Sequence, residues 1–501
     1  MLMNLAIVKS RAQEGIHAPE VSVEVHLANG LPAFSIVGLP ETAVRESRDR
    51  VRAALINSRF EFPARRITVN LAPADLPKDG GRFDLPIAIG ILAASGQIPN
   101  EQLDSYEFYG ELALDGSLRP VSGLLPSAWQ AAETDRLCIL PADNADEAAL
   151  IDRNHVLPAT HLLDVCAHFT GHQKLTNHIL SEQTNNPANV PDLQDVRGQH
   201  RARRALEVAA AGGHNLLMVG PPGTGKTMLA KRLPGILPPM QTSESMESAM
   251  IWSISMHGFQ PEHWGIRPFR EPHHTASGVA LVGGGSHPRP GEISLAHNGV
   301  LFLDELTEFD KRVLEVLREP LETGRIHISR AARQAEYPAA FQLVAAMNPC
   351  PQGYDCDRRD HCHCTPEQQR RHQSRISAPL LDRIDLHIEV PRQNMTSEQT
   401  EKPESSAEVA RRVMRAHQRQ IDRQGKRNAT LQSSELEQHC KLEKENQSLL
   451  EQAINRLRLS TRAHHRILRV ARSIADLKGN NDIEREDLTE ALSYRALEEF
   501  R

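Results

Sequence analysis

Asn215-Leu-Leu-Met-Val-Gly-Pro-Pro-Gly-Thr-Gly-Lys-Thr-Met-Leu-Ala-Lys-Arg232 runs from an apolar, strand-like segment through a glycine-rich loop into a helix-like segment. The loop comprises Gly220, Pro221, Pro222, Gly223, Thr224, Gly225, Lys226 and Thr227. In this context it reads as a phosphate cradle. Its glycines let backbone N–H groups turn inward, the following helix presents its positive end, and Lys226 reaches the terminal phosphates. The expected ligand is ATP, with Mg²⁺ bound through the Thr227 hydroxyl.

Two further apolar segments end in polar residues suited to the same chemistry. Val300-Leu-Phe-Leu-Asp304-Glu305 is a buried-strand pattern closing on two carboxylates, the Walker B arrangement. Buried acids without counter-charge are unfavourable, so the pair makes sense beside a cation. Asp304 is expected to position Mg²⁺, and Glu305 to orient and polarise the attacking water. Phe341-Gln-Leu-Val-Ala-Ala-Met347 leads into Asn348-Pro-Cys350. At the end of a third core strand, the Asn348 amide would meet both the lytic water and the γ-phosphate.

A chain of 501 residues exceeds what one hydrophobic core serves. The predicted fold is α/β and multidomain. Residues 1–172 mix strand and helix patterns, 173–190 form a polar linker, 191–392 alternate helices with buried strands, 393–406 are again polar, and 407–501 read as a small all-α lid. The net charge of −6 and pI near 6.5 argue against a broadly basic surface, although 58 Lys and Arg residues allow a basic pore. Met1 to Val8 carry no basic residue ahead of their short apolar run, unlike a secretory signal. The longest apolar stretch, 85–94, falls short of the roughly 20 residues of a membrane span. A cytoplasmic location without membrane association is the expectation.

Ser374-Arg375-Ile-Ser-Ala-Pro-Leu-Leu-Asp382-Arg383-Ile-Asp385 resembles the arginine-finger region of AAA+ ATPases, especially the Mg-chelatase and MCM helicase clade. That resemblance implies a finger reaching the neighbouring subunit, with Arg383 the first choice and Arg375 the competitor; an intramolecular pair of Arg383 with Asp382 or Asp385 is the alternative. Ser460-Thr-Arg462-Ala matches the same clade's sensor 2 pattern. Its arginine stands in a first helical turn, where the dipole disfavours a cation unless phosphate is near. Val196-Arg-Gly-Gln199 resembles the adenine-side motif.

Pro77-Lys-Asp-Gly80 and the segment Tyr109 to Leu125 resemble signatures of the Lon protease domain. Lon chemistry needs a Ser nucleophile and a Lys of lowered pKa, but Arg82 to Leu85 occupy the Ser region and Leu125 the Lys position. A Lon-like fold without peptidase chemistry is expected. With Val37-Gly-Leu-Pro40, Gly80-Gly-Arg-Phe-Asp-Leu-Pro86 and Arg270-Glu-Pro-His-His-Thr275, the whole chain resembles the Mg-chelatase-like ComM/YifB family. The resemblance implies a homo-hexameric, ATP-driven DNA helicase that promotes branch migration on single-stranded and branched DNA during natural transformation, alongside recombination proteins. A Mg-chelatase or MoxR-like ATPase remodelling a protein partner is the alternative.

His273 and His274 open a Gly-rich segment ending Gly283-Gly-Gly285 that looks like the clade's pore insert, and Arg330 and Arg333 lie in a hairpin pattern. All four residues are expected at DNA, the arginines on phosphate. Aromatic residues are only 4% of the chain, so extended base stacking is not expected to dominate. Cys350, Cys356, Cys362 and Cys364 crowd a loop too polar to bury four thiols as core, which suits a structural Zn²⁺ over 350–364. His361 or His363 would replace a thiolate, and Gln352 departs from the Cys-Pro-Cys-Gly of some relatives.

Overall fold

A computed structural model describes residues 4–151, 155–180, 190–285, 288–330, 333–352, 364–392, 403–457 and 460–495. The chain divides into two units, Met1–Asn185 with Met246–Trp264, and Asn186–Ser245 with Gly265–Arg501. Among the described residues no helix is long and apolar enough to cross a membrane.

The first unit is built on a mixed seven-stranded sheet. Its strands are β1 (Leu5–Arg11), β2 (Glu20–Ala28), β3 (Ala33–Val37), β4 (Arg66–Ala72), β5 (Tyr106–Phe108), β6 (Leu137–Pro141) and β7 (Val156–Ala159), in the order β3-β4-β2-β1-β5-β6-β7. Alternation in β2 buries Val21, Val23, Val25 and Leu27, the period-2 pattern of a half-covered strand. Helix α1 (Thr42–Asn57) precedes β4, and all of helix α2 (Asp84–Ala94) is buried. Arg82 and Leu125 are buried too, Arg82 donating to the Ser122 carbonyl at 2.6 Å. The residues standing in the peptidase positions thus serve the core.

Residues 246–264, which the sequence placed inside the nucleotide domain, belong instead to this first unit. Met246, Ala249 and Met250 recur at helical spacing and are buried with Leu124, Leu125 and Leu140. Their apolar stripe finds its cover there.

The second unit holds a parallel five-stranded sheet. Its strands are β8 (Leu216–Val219), β9 (Phe269–Arg270), β10 (Val300–Leu303), β13 (Gln342–Met347) and β14 (Leu386–Glu389), in the order β9-β10-β13-β8-β14. A separate antiparallel hairpin, β11 (Arg325–Arg330) and β12 (Arg333–Pro338), precedes β13. Helix α3 (His200–Gly212) leads into β8, and α4 (Lys226–Ala230) follows the loop. The helical region contributes α5 (Ser406–Gln424), α6 (Thr461–Lys478) and α7 (Arg485–Ser493). Ser405 caps α5 in a box with Glu408.

The helices after 406 do not form a core of their own, contrary to the expectation of a separate all-α domain. Val409, Val413 and Ala416 of α5, and Ile467, Val470 and Ile474 of α6, share one apolar cluster with α3 and with Leu216 and Met218 of β8. Their stripes face the sheet domain rather than only each other.

Asp385 fastens the same junction. It is buried, accepts from Arg466 of α6 at 3.1 Å and from the Asn215 amide at 2.9 Å, and lies 3.8 Å from His214. Burial pushes its pKa up, but Arg466 and its other partners hold it, on balance, well below the usual carboxylate range. The stabilisation is therefore complete above the unfolded value of about 3.9 and is lost as pH falls through the lower folded value. Asp385→Ala should strand a half-buried cation and cost about 3 kcal/mol. The expected result is a lower melting temperature, with a smaller gap from wild type in strongly acidic buffer than at neutral pH.

Candidate nucleotide-hydrolysis site

Strand register gathers the site. Val219 stands opposite Met347, and Leu303 opposite Ala345. The three following segments, Gly220–Thr227, Asp304-Glu305 and Asn348, therefore leave the same end of the sheet. In the loop, Gly223 (φ 77°) and Gly225 (φ 88°) adopt left-handed backbone that side chains resist. A Cβ on Gly220 would lie 2.2 Å from the Val390 carbonyl oxygen, so a larger residue is excluded.

Lys226 donates to the carbonyls of Gly220 at 2.6 Å and Pro221 at 2.9 Å, and to Oδ1 of Asn348 at 3.2 Å. Burial pushes the ammonium's pKa down, while Asp304 and Glu305 act against that shift. The lysine and the expected sensor 1 amide are thus within one hydrogen bond of each other. Thr224 closes the loop by donating to Pro221 O at 3.0 Å, and Gln199 reaches Thr224 O at 3.4 Å. The upstream motif accordingly touches the loop.

Thr227 donates its hydroxyl to Oδ2 of Asp304, whose Oδ1 accepts the Glu305 amide at 2.8 Å. Two hard oxygen donors converge there, a set that fits Mg²⁺. The ion would be held by Thr227 and Asp304 and, when bound, supplies charge neutralisation to phosphate oxygens. Glu305 has φ 51°, uncommon for a residue with a side chain, and its carboxylate is 54% exposed. An exposed carboxylate beside the phosphate cradle can accept a proton from water.

The remaining predicted residues fall in different places. Arg383 is buried and pairs with Glu322, not with Asp382 or Asp385, while donating to Pro379 O at 2.6 Å. It lines a cavity of about 330 Å³ with Glu315, Arg318, Glu319 and His327. Arg375 is 52% exposed and reaches Glu308 at 3.2 Å and the Thr307 carbonyl at 3.0 Å, just beyond Glu305. Arg462 is exposed in the first turn of α6, where Ser460 caps the helix by accepting the Ala463 amide at 3.2 Å.

Arg330 and Arg333 face each other in register at the hairpin end, with side chains outside the described residues. Cys356, Cys362, His361 and His363 also lie outside them. Cys350 is buried and Cys364 half-buried, both without a disulfide, and among the described residues no three metal-ligating side chains converge. His273 and His274, expected at DNA, are engaged locally. Nδ1 of His273 lies 2.9 Å from the Thr275 hydroxyl, and Nδ1 of His274 lies 3.2 Å from Oε2 of Glu305. That second contact was not read from the sequence, because nothing in a paired His-His reports which strand end it will meet.

Family models described as magnesium chelatase subunit ChlI match residues 192–398, and further models of that subunit and its C-terminal part match 23–144 and 403–495. The chain is 52% identical over 501 residues to Competence protein ComM of Haemophilus influenzae, covering 99% of this chain and 98% of the relative. The chain belongs to the ComM/YifB family. It is likewise 53% identical over 498 residues to the YifB protein of Escherichia coli, at 99% and 98% coverage. Lon protease 2 of Bacillus subtilis is 24% identical over 205 residues, 36% of this chain and 37% of that protein. ComM/YifB membership gives this site the setting of a Mg-chelatase-like AAA+ ATPase, which uses nucleotide and Mg²⁺.

Two substitutions separate binding from chemistry at this ComM/YifB site. Glu305→Gln should lower kcat for ATP hydrolysis at least about 100-fold while leaving affinity for a fluorescent ATP analogue unchanged. Lys226→Ala should abolish both, with circular dichroism unchanged. Wild-type turnover in either variant would remove these residues from the site.

Proposed function

We propose that this chain is an ATP-driven DNA motor, working as a homo-hexamer on single-stranded and branched DNA. In this reading it promotes branch migration when incoming DNA recombines in the cytoplasm during natural transformation, with recombination proteins as partners. The observation that carries the reading is the end-to-end identity to a protein named for competence. The constellation of Lys226, Thr227, Asp304, Glu305 and Asn348 supplies a place for hydrolysis.

Within the motor, Arg383 is the finger offered to the neighbouring subunit, with Arg375 as second candidate, and Arg462 senses the bound phosphate. An arginine supplied in trans stabilises charge on the transferring phosphoryl and is worth roughly 10³ to 10⁵ in rate. Arg330, Arg333 and His273 contact the DNA backbone. A zinc ion held by Cys350, Cys356, Cys362 and Cys364 belongs to the same reading. One equivalent of zinc in protein purified without chelator supports it, and less than about half an equivalent removes it.

A labelled three-strand junction tests the motor. The expected outcome is ATP-dependent displacement of the labelled strand, with ATPase stimulated by single-stranded or branched DNA. Neither effect at low salt would leave the alternative, a chelatase-type or MoxR-like ATPase acting on a protein partner, which the magnesium chelatase family models favour. Arg330→Ala with Arg333→Ala should weaken DNA binding without sequence preference and reduce the salt slope by about one per lost phosphate contact.

A further inference from the structure

We propose that His274 is a positioning residue that restrains Glu305 until DNA engages the glycine-rich insert. The proposal rests on the motor reading for the identity of the ligand, and on this chain's geometry for the restraint.

The path of the backbone makes the connection. Strand β9 runs parallel to β10 with Arg270 opposite Leu301, so the segment leaving β9 follows the same sheet end as Asp304 and Glu305. Its start is anchored twice. Arg270 holds Glu292 through two hydrogen bonds of 2.6 and 2.7 Å, and Glu271 pairs at 2.9 Å with Lys231, directly after α4. Beyond these anchors come His273 and His274. Ser277 then caps the short helix Gly278–Val282, accepting the Ala280 amide at 3.1 Å, and the chain passes into Gly283, Gly284 and Gly285 with φ of 100°, 153° and 106°. His274 therefore stands between a fixed anchor and a glycine-rich element.

The contact itself is directional. Nδ1 of His274 is 3.2 Å from Oε2 of Glu305; the two side chains are 31% and 54% exposed. A pair this exposed adds little to folding stability, so its principal effect is to fix where the carboxylate points. A carboxylate oxygen that accepts an N–H bond is a weaker acceptor for the proton of an attacking water. The imidazole is itself held, its ring centroid 4.2 Å from that of His273 and edge-on to Phe309 at 6.5 Å. Nδ1 of His273 also accepts the Thr275 amide at 3.3 Å, which fixes the turn. Movement of the insert would be transmitted through this turn and withdraw the His274 donor, freeing Glu305.

The test uses the full-length protein, His274→Ala and His274→Asn, with ATPase measured at saturating ATP with and without a mixed-sequence single-stranded oligonucleotide. In His274→Ala, basal kcat should rise about tenfold toward the DNA-stimulated value, with KM unchanged and the stimulation ratio falling toward one. DNA affinity, followed by fluorescence anisotropy, should stay at the wild-type value. His274→Asn keeps an N–H donor near the Nδ1 position and should restore the wild-type ratio. Hydrogen exchange over Val279–Val282 should quicken in His274→Ala and return in His274→Asn. A His274→Ala protein whose basal kcat is unchanged or lower, with the stimulation ratio intact, would overturn the proposal. If wild-type ATPase ignores DNA, the motor reading fails, while the basal rate of His274→Ala still decides whether Glu305 is restrained.

Discussion

Parallel pairing of β8 with β13, and of β13 with β10, is the constraint on which the second unit depends. Parallel strands end on the same side, so three segments far apart in sequence are delivered to one crevice without any of them having to search for it. The lysine, the hydroxyl and carboxylate pair, and the amide meet because Val219, Leu303 and Met347 occupy matched places in the sheet. A slip of one residue in either pairing would turn the strand's side chains to the opposite face and carry its terminal polar group out of reach.

Charge burial around that sheet follows a consistent rule. Asp385 is buried with Arg466 and a backbone amide, and Arg383 with Glu322 and a carbonyl. In the first unit Glu107, fully buried, takes two hydrogen bonds of 2.8 Å from Arg11 and one of 3.1 Å from Arg136. Each ion brings enough partners to offset its desolvation. These arrangements tie elements distant in sequence, Arg466 lying on the helix that also carries Arg462, so the phosphate-sensing candidate is mounted on an element bonded to the last core strand.

Much of this was legible in the sequence because the governing information is local. The apolar runs ending at Val219, Leu303 and Met347 appear as strands, and the glycine pattern of 220–227 specifies its own backbone. Ser460 likewise announced its cap. What escaped was non-local. The stripe of Met246, Ala249 and Met250 signals burial but not which core it enters, and the apolar faces of α5 and α6 do not say that α3 and β8 will cover them. Pairing partners were equally hidden: Arg383 had two acids beside it in sequence and chose Glu322, and His274 met Glu305 across the sheet edge.

The apolar cluster shared by α3, β8, α5 and α6 limits how the helical region can answer a change of nucleotide. A lid with its own core can swing as a rigid body about a loop. Here a swing would open close-packed aliphatic surface to water, so the accessible motion is shear, with α5 and α6 sliding over α3 while their side chains stay interdigitated. Shear moves are small for each contact and accumulate along a helix. Arg462, at the end of α6, lies where such a displacement would be felt.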